Sequence, residues 1–148
     1  MKENIYKDVV VDSLRHLTEK NRVRVYSFVI MANHIHIIWQ ATYGHHLNDV
    51  QTSFKKHTSK EFLKLLKADK NLEIYSVNAV DRNHHFWKRN SLEIELFSDA
   101  VFIQKLNYIH ENPVRAKECN HAAEYKYSSA LFYECGIDNF DFVTHYNG

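Results

Sequence analysis

Apolar side chains recur at two different spacings along this chain, and the change of spacing marks its elements. From about Tyr6 to Lys20 they fall at Tyr6, Val10, Leu14 and Leu17. Steps of four, four and three place them on one face of a helix. The run Val23-Arg24-Val25-Tyr26-Ser27-Phe28-Val29-Ile30 is β-branched and aromatic, and it reads as a strand buried on much of both faces. Met31-Ala32-Asn33 is short enough for a hairpin turn, with Asn33 its best turn residue. The return strand then runs from His34 to about Ala41. His34, His36, Ile38 and Gln40 share one of its faces, and Ile35, Ile37 and Trp39 form the other. The wholly apolar face is expected in the core, which leaves the histidine face free.

A polar connection, Thr42 to His46, leads into Leu47, Val50, Phe54, Thr58, Phe62 and Leu65, which keep helical spacing to about Ala68. Thr58-Ser59-Lys60-Glu61 resembles a capping box, so two helices with a break are one expectation here. Lys55, Lys56, Lys60, Lys64 and Lys67 crowd the polar side, either as a solvated face or as a phosphate-contacting stripe. Leu72 to Val80 reads as another strand and Asp81 to Asn83 as a turn. His84-His85-Phe86-Trp87-Lys88-Arg89-Asn90 mixes aromatic and basic residues, which suits stacking on bases and pairing with phosphates. An edge strand with Phe86 packed inward fits it equally. Ser98 is a good N-cap with Asp99 in the first turn. The following helix is expected to reach about Asn112 on a stripe of Phe102, Leu106 and Ile109, with Pro113 marking its end. A short apolar helix through about Tyr133 and a polar segment close the chain.

Composition narrows the class. A length of 148 residues suits one domain. No apolar run approaches the roughly 20 residues of a membrane span, and the N-terminus does not read as a signal peptide. Cys119 and Cys135 form neither a metal-type pair nor a disulfide framework. A cytoplasmic protein is expected. The formal charge is only +1, so binding to nucleic acid must come from a local patch. With eleven histidines and nine tyrosines, any single one needs a positional argument before it carries chemistry.

His34 and His36 have that argument. Alternation places their side chains on one face, roughly 7 Å apart at Cα, where two imidazoles can share one metal ion. Tyr108 and Asn112 stand four apart on the later helix and so share a face. A divalent ion held by two imidazoles and an amide oxygen keeps open positions, which suits Lewis-acid work on a phosphate. A nearby tyrosine can then be the nucleophile, conserving bond energy in a phosphotyrosine. The plainer alternatives are a pair of half-exposed histidines at a sheet edge, a core tyrosine, and a helix-end asparagine before Pro113.

Four segments carry a family resemblance. Met31-Ala32-Asn33-His34-Ile35-His36 resembles the His-hydrophobic-His motif of the HUH single-tyrosine transposases. Lys105-Leu106-Asn107-Tyr108-Ile109-His110-Glu111-Asn112-Pro113-Val114 is similar to their nucleophile helix, with its Tyr-x-x-x-Asn-Pro signature. Phe54-Lys55-Lys56-His57-Thr58-Ser59 and Tyr125-Lys126-Tyr127-Ser128-Ser129 resemble further segments, in the same order. The resemblance spans about Tyr6 to Tyr133 and points to the REP-associated and insertion-sequence branches.

The resemblance implies an α+β, ferredoxin-like domain, with an antiparallel sheet and helices packed on one face. It implies Mg²⁺- or Mn²⁺-dependent cleavage and rejoining of single-stranded DNA at hairpin-flanked sites. Tyr108 would attack to give a 5′-phosphotyrosine and a free 3′-OH. His34, His36 and Asn112 would hold the metal, and Lys55, Lys56, Lys88 and Arg89 are the candidates for gripping DNA. Two departures stand out. Ala32 replaces the usual proline, and only five residues precede Tyr6, where the family has a strand. The first strand is therefore expected to be missing, or its place beside the histidine strand taken by another element. An uncovered edge there invites a homodimer. The alternative function is a truncated or domesticated protein that binds DNA hairpins without cutting. A histidine-rich metal module built on His45, His46, His84 and His85 finds no regular ligand spacing to support it.

Overall fold

The computed structural model describes residues 3–69, 86–87 and 92–148. The strand read over Leu72 to Val80, the turn after it, and Lys88 and Arg89 lie outside the described residues. The elements run α1 (Asn4–Glu19), β1 (Val23–Ile30), β2 (Ile35–Ala41), α2 (Leu47–Ala68), α3 (Asp99–Arg115), a 3₁₀ turn (Ala122–Glu124) and α4 (Ala130–Cys135). The class is α+β, around an antiparallel β1–β2 hairpin.

Three layers result. α1 and α2 lay Val10, Leu14, Leu17, Val50, Phe54 and Phe62 against Val25, Phe28 and Ile30 of β1, with Ile35, Ile37 and Trp39 of β2 packed alongside. Leu106 and Ile109 of α3 pack on the opposite face with Val29, Met31 and Ile38. The helices are thus not confined to one face of the sheet, as the resemblance implied. Nor is the histidine face left free. Ile38 lies on it between His36 and Gln40, and burying that side chain needs a third layer.

A bulge adjusts β1 to this arrangement. Val25 pairs with Trp39 and Ser27 with Ile38, so Tyr26 is the extra residue. Tyr26 packs with the α3 cluster, and Ser27 bonds to His110 of α3. Two consecutive side chains therefore serve the same layer.

The far edge of β1 is covered by irregular chain. Ile30 N donates to Tyr127 O (2.9 Å) and Ser129 N to Phe28 O (3.0 Å), with an isolated antiparallel bridge between Val29 and Ser128. Toward the other end Val143 bridges Val25 in parallel, and Thr144 N donates to Val25 O at 2.9 Å. The polar tail is therefore part of the fold, with Phe142 stacked on Phe28 at 5.6 Å. Residues 127–129 and 143–144 thus line the edge of β1 that β2 leaves open. Among the described residues no strand pairs with the outer edge of β2.

Two helix boundaries also differ from expectation. α2 is continuous through Thr58–Glu61. Thr58 is fully buried, and its hydroxyl donates to the Phe54 carbonyl at 2.8 Å inside the helix while accepting from Trp87 Nε1 at 2.9 Å. Phe86 and Trp87 do pack inward, on Phe62 at 5.3 and 6.1 Å. α3 begins as expected, with Ser98 Oγ accepting from Val101 N at 3.3 Å, but it runs through Pro113 to Arg115. Pro113 removes one N–H without ending the helix, because its buried ring is anchored by packing.

Candidate active site

β2 and α3 bring the histidines and the tyrosine together. The turn ahead of β2 closes with Met31 N donating to His34 O at 2.9 Å, which leaves His34 immediately before the strand. Asn33 Oδ1 lies 2.6 Å from His34 Nδ1. An amide oxygen only accepts, so Nδ1 donates here and Nε2 is the ring atom left to face a ligand. Metal-binding imidazoles are commonly oriented by such a second hydrogen bond.

His36 pairs opposite Val29 and faces α3. Its ring meets that of His34 edge to face, with centroids 5.0 Å apart, and meets Tyr108 in the same manner at 5.9 Å. Burial lowers the pKa of His36, and the nearby His34 and Arg115 lower it further. The shift favours the uncharged ring, whose lone pair can bind.

Tyr108 is 52% exposed, which removes the core-tyrosine reading. Tyr125, Tyr127 and Tyr133 are held in their protonated forms by burial, which pushes the latter two up to about 12. Tyr125 and Tyr127 serve as anchors, the first donating to Ile30 O (2.8 Å) and the second to Asp8 Oδ1 (2.8 Å). Lys7 Nζ donates to Tyr125 Oη at 2.9 Å, beneath the same segment.

Asn112 lies one turn beyond Tyr108 on the same helix face and is half-buried. Its carbonyl accepts from Ala116 N at 3.0 Å, so it sits within the helix rather than capping its end. Among the described residues no group of three or more His, Cys, Asp and Glu side chains gathers at metal-binding distance. The candidate donors for a divalent ion are the His34 and His36 imidazoles, 5.0 Å apart by centroid, and, by position alone, the Asn112 amide. Such a set leaves coordination positions open for water or phosphate oxygens.

Three features of the site were not read from the sequence. The Arg115 guanidinium lies 4.2 Å over the Tyr108 ring, and its Nη2 donates to the Tyr108 carbonyl at 2.8 Å. On the buried side of α3, His110 Nε2 stands 2.8 Å from Ser129 Oγ and 3.1 Å from Ser27 Oγ. Asn33, a turn residue by its sequence, also orients His34. Each left some signal. Tyr108 and Arg115 are seven apart, two full turns, but a helix expected to end at Asn112 hid that relation. His110 follows Leu106 by four and so falls on the core side, and Ser27 is a lone small polar residue inside an apolar strand.

The lysine candidates stand elsewhere. Lys55 and Lys56 are on α2, across the sheet from α3, with Lys56 exposed. In the same stripe Lys64 is engaged by Glu61 at 2.7 Å. Among the described residues no helix is long and apolar enough to cross a membrane. No protein-family model, curated protein or solved structure matches this chain.

Proposed function

We propose that the protein is a metal-dependent nuclease and strand-transferase of the tyrosine HUH type, built on a ferredoxin-like domain and acting on single-stranded DNA with a hairpin. One observation carries the reading. Two imidazoles 5.0 Å apart stand at the start of a strand, and the His36 ring is 5.9 Å from an exposed tyrosine on a helix that packs against that strand.

In this reading His34, His36 and Asn112 would hold Mg²⁺ or Mn²⁺, which when bound would supply Lewis-acid polarisation of a phosphoryl oxygen of the DNA. Tyr108 Oη attacks phosphorus and forms the new O–P bond. The bond to the 3′ oxygen breaks, that oxygen takes up a proton, and the phenol's proton passes to solvent. A 5′-phosphotyrosine and a free 3′-OH remain. Attack of a 3′-OH on the phosphotyrosine reverses these changes and restores Tyr108. Lys55, Lys56, Lys88 and Arg89 are the proposed backbone contacts.

The test is denaturing electrophoresis of the protein with labelled hairpin DNA and Mg²⁺ or Mn²⁺. The expected result is a covalent adduct that needs the metal and is lost in Tyr108→Phe. An adduct formed equally well by Tyr108→Phe overturns the assignment of the nucleophile. Tight hairpin binding with no adduct in either metal replaces the enzyme with a non-catalytic hairpin-binding protein.

A further inference from the structure

We infer that Arg115 is a positioning residue for Tyr108, clamping the tyrosine through its ring face and its backbone carbonyl together. The inference rests on the proposed role of Tyr108, but the clamp itself is a matter of geometry.

An exposed tyrosine on a helix ordinarily samples several rotamers, because solvent places no wall beside it. Tyr108 has walls on two sides. His36 meets its ring from the strand, edge to face at 83°. Arg115 covers the ring with its guanidinium carbon 4.2 Å from the centroid. The same guanidinium donates Nη2 to the Tyr108 carbonyl at 2.8 Å. A planar cation can stack and donate at once, whereas a lysine ammonium is a point charge on a flexible stem.

Local sequence explains how the arginine gets there. Helical side chains lean toward the N-terminus, so Arg115 at the last position of α3 reaches back over the preceding turns. Pro113 lacks the N–H that would bond the Ile109 carbonyl, and carbonyls on the exposed side of such a helix tilt outward. Arg115 bonds one of them two turns from its own Cα. The ordinary role of a terminal arginine, offsetting the helix dipole, needs no such reach. That role also explains neither the stacking nor the choice of the Tyr108 carbonyl over the final ones.

A nucleophile misplaced by about 1 Å can lose about 100-fold in rate. Loss of the clamp should therefore reduce the rate of adduct formation at saturating hairpin DNA while leaving the half-saturating DNA concentration nearly unchanged. The experiment compares Arg115→Leu and Arg115→Lys with the parent protein. Each variant is also measured by fluorine NMR with 3-fluorotyrosine, the Tyr108 resonance being assigned by Tyr108→Phe.

The expected result is a rate loss of about 10- to 100-fold in both variants, accompanied by a shifted and narrowed Tyr108 resonance without DNA. Full rescue by Arg115→Lys overturns the clamp in favour of a simple charge. An unmoved Tyr108 resonance in Arg115→Leu overturns it whatever the DNA chemistry. If the parent forms no adduct, the proposed function fails, and the resonance still decides the clamp.

Discussion

His110 Nε2 and Ser129 Oγ stand 2.8 Å apart in the interior, and that pair ties the helix of Tyr108 to the chain that edges β1. Ser129 Oγ also accepts from Phe28 N at 3.0 Å, and Ser27 Oγ lies within 3.1 Å of both partners. The contact therefore joins three separate parts of the sequence. His110→Ala leaves the serine hydroxyls short of a partner and opens space beside them. A loss of about 2 kcal/mol is expected by urea denaturation.

The same histidine gives stability a pH dependence of known sign. Burial lowers its pKa from 6.5 to about 4 in the folded protein. As pH falls, the unfolded chain takes up this proton first, so folding weakens progressively between about pH 6.5 and 4. The loss amounts to about 3 kcal/mol across that window, and above it the contribution is fully present. His110→Gln should flatten this part of the profile in denaturation measured at a series of pH values.

Asn33 sets the tautomer of His34, and a side chain in that role typically changes metal affinity by about 10- to 100-fold when removed. Asn33→Ala should weaken Mn²⁺ binding by at least about 10-fold, read by electron paramagnetic resonance of free Mn²⁺. His36→Ala should weaken it further at every pH. Because burial, His34 and Arg115 hold the His36 pKa down, protons compete poorly there. Binding through His36 should persist below the pH at which an ordinary imidazole is half-protonated.

Lys55 and Lys56 lie across the sheet from Tyr108, so their effect should be on grip rather than on chemistry. Replacing both with alanine should reduce the slope of log affinity against log salt by about 2 for hairpin DNA. The rate of adduct formation at saturating DNA should not change. A fall in that rate would place these lysines at the reacting phosphate.

Thr58 joins α2 to Trp87 through a bond of 2.9 Å at a fully buried hydroxyl. Thr58→Val keeps the shape and removes the acceptor, which should cost about 1–2 kcal/mol in thermal or urea unfolding.

What the sequence disclosed was local in kind. The strand Val23–Ile30, the N-cap at Ser98 and the shared faces of His34 with His36 and of Tyr108 with Asn112 all follow from spacing within one element. What it concealed depended on partners far along the chain. Thr58 looked like a helix start because Trp87, 29 positions later, was not known to bond its hydroxyl. The tail looked inert because nothing in its composition shows that Val143 lies beside Val25. Pro113 is a local stop signal that packing overrides, and the two helical turns linking Tyr108 to Arg115 exist only because it does. The third layer on the histidine face is also non-local, since it depends on α3 arriving from beyond residue 98.

Tyr26 gives the hairpin a place where its length can change. The ladder passes directly from the Val25–Trp39 pair to the Ser27–Ile38 pair, skipping it. A chain without Tyr26 would keep Val25 and Phe28 toward α1 and Ser27 and Val29 toward α3, with Val29 still opposite His36. It would lose the ring that meets Phe102 at 6.0 Å and the hydroxyl that donates to Gln40. Inserting a residue between Ser27 and Ile30 would instead turn one stretch of β1 over relative to β2. Tyr26 is the position of β1 that the ladder skips, so its removal leaves every pair of β1 with β2 in place, Val29 with His36 included.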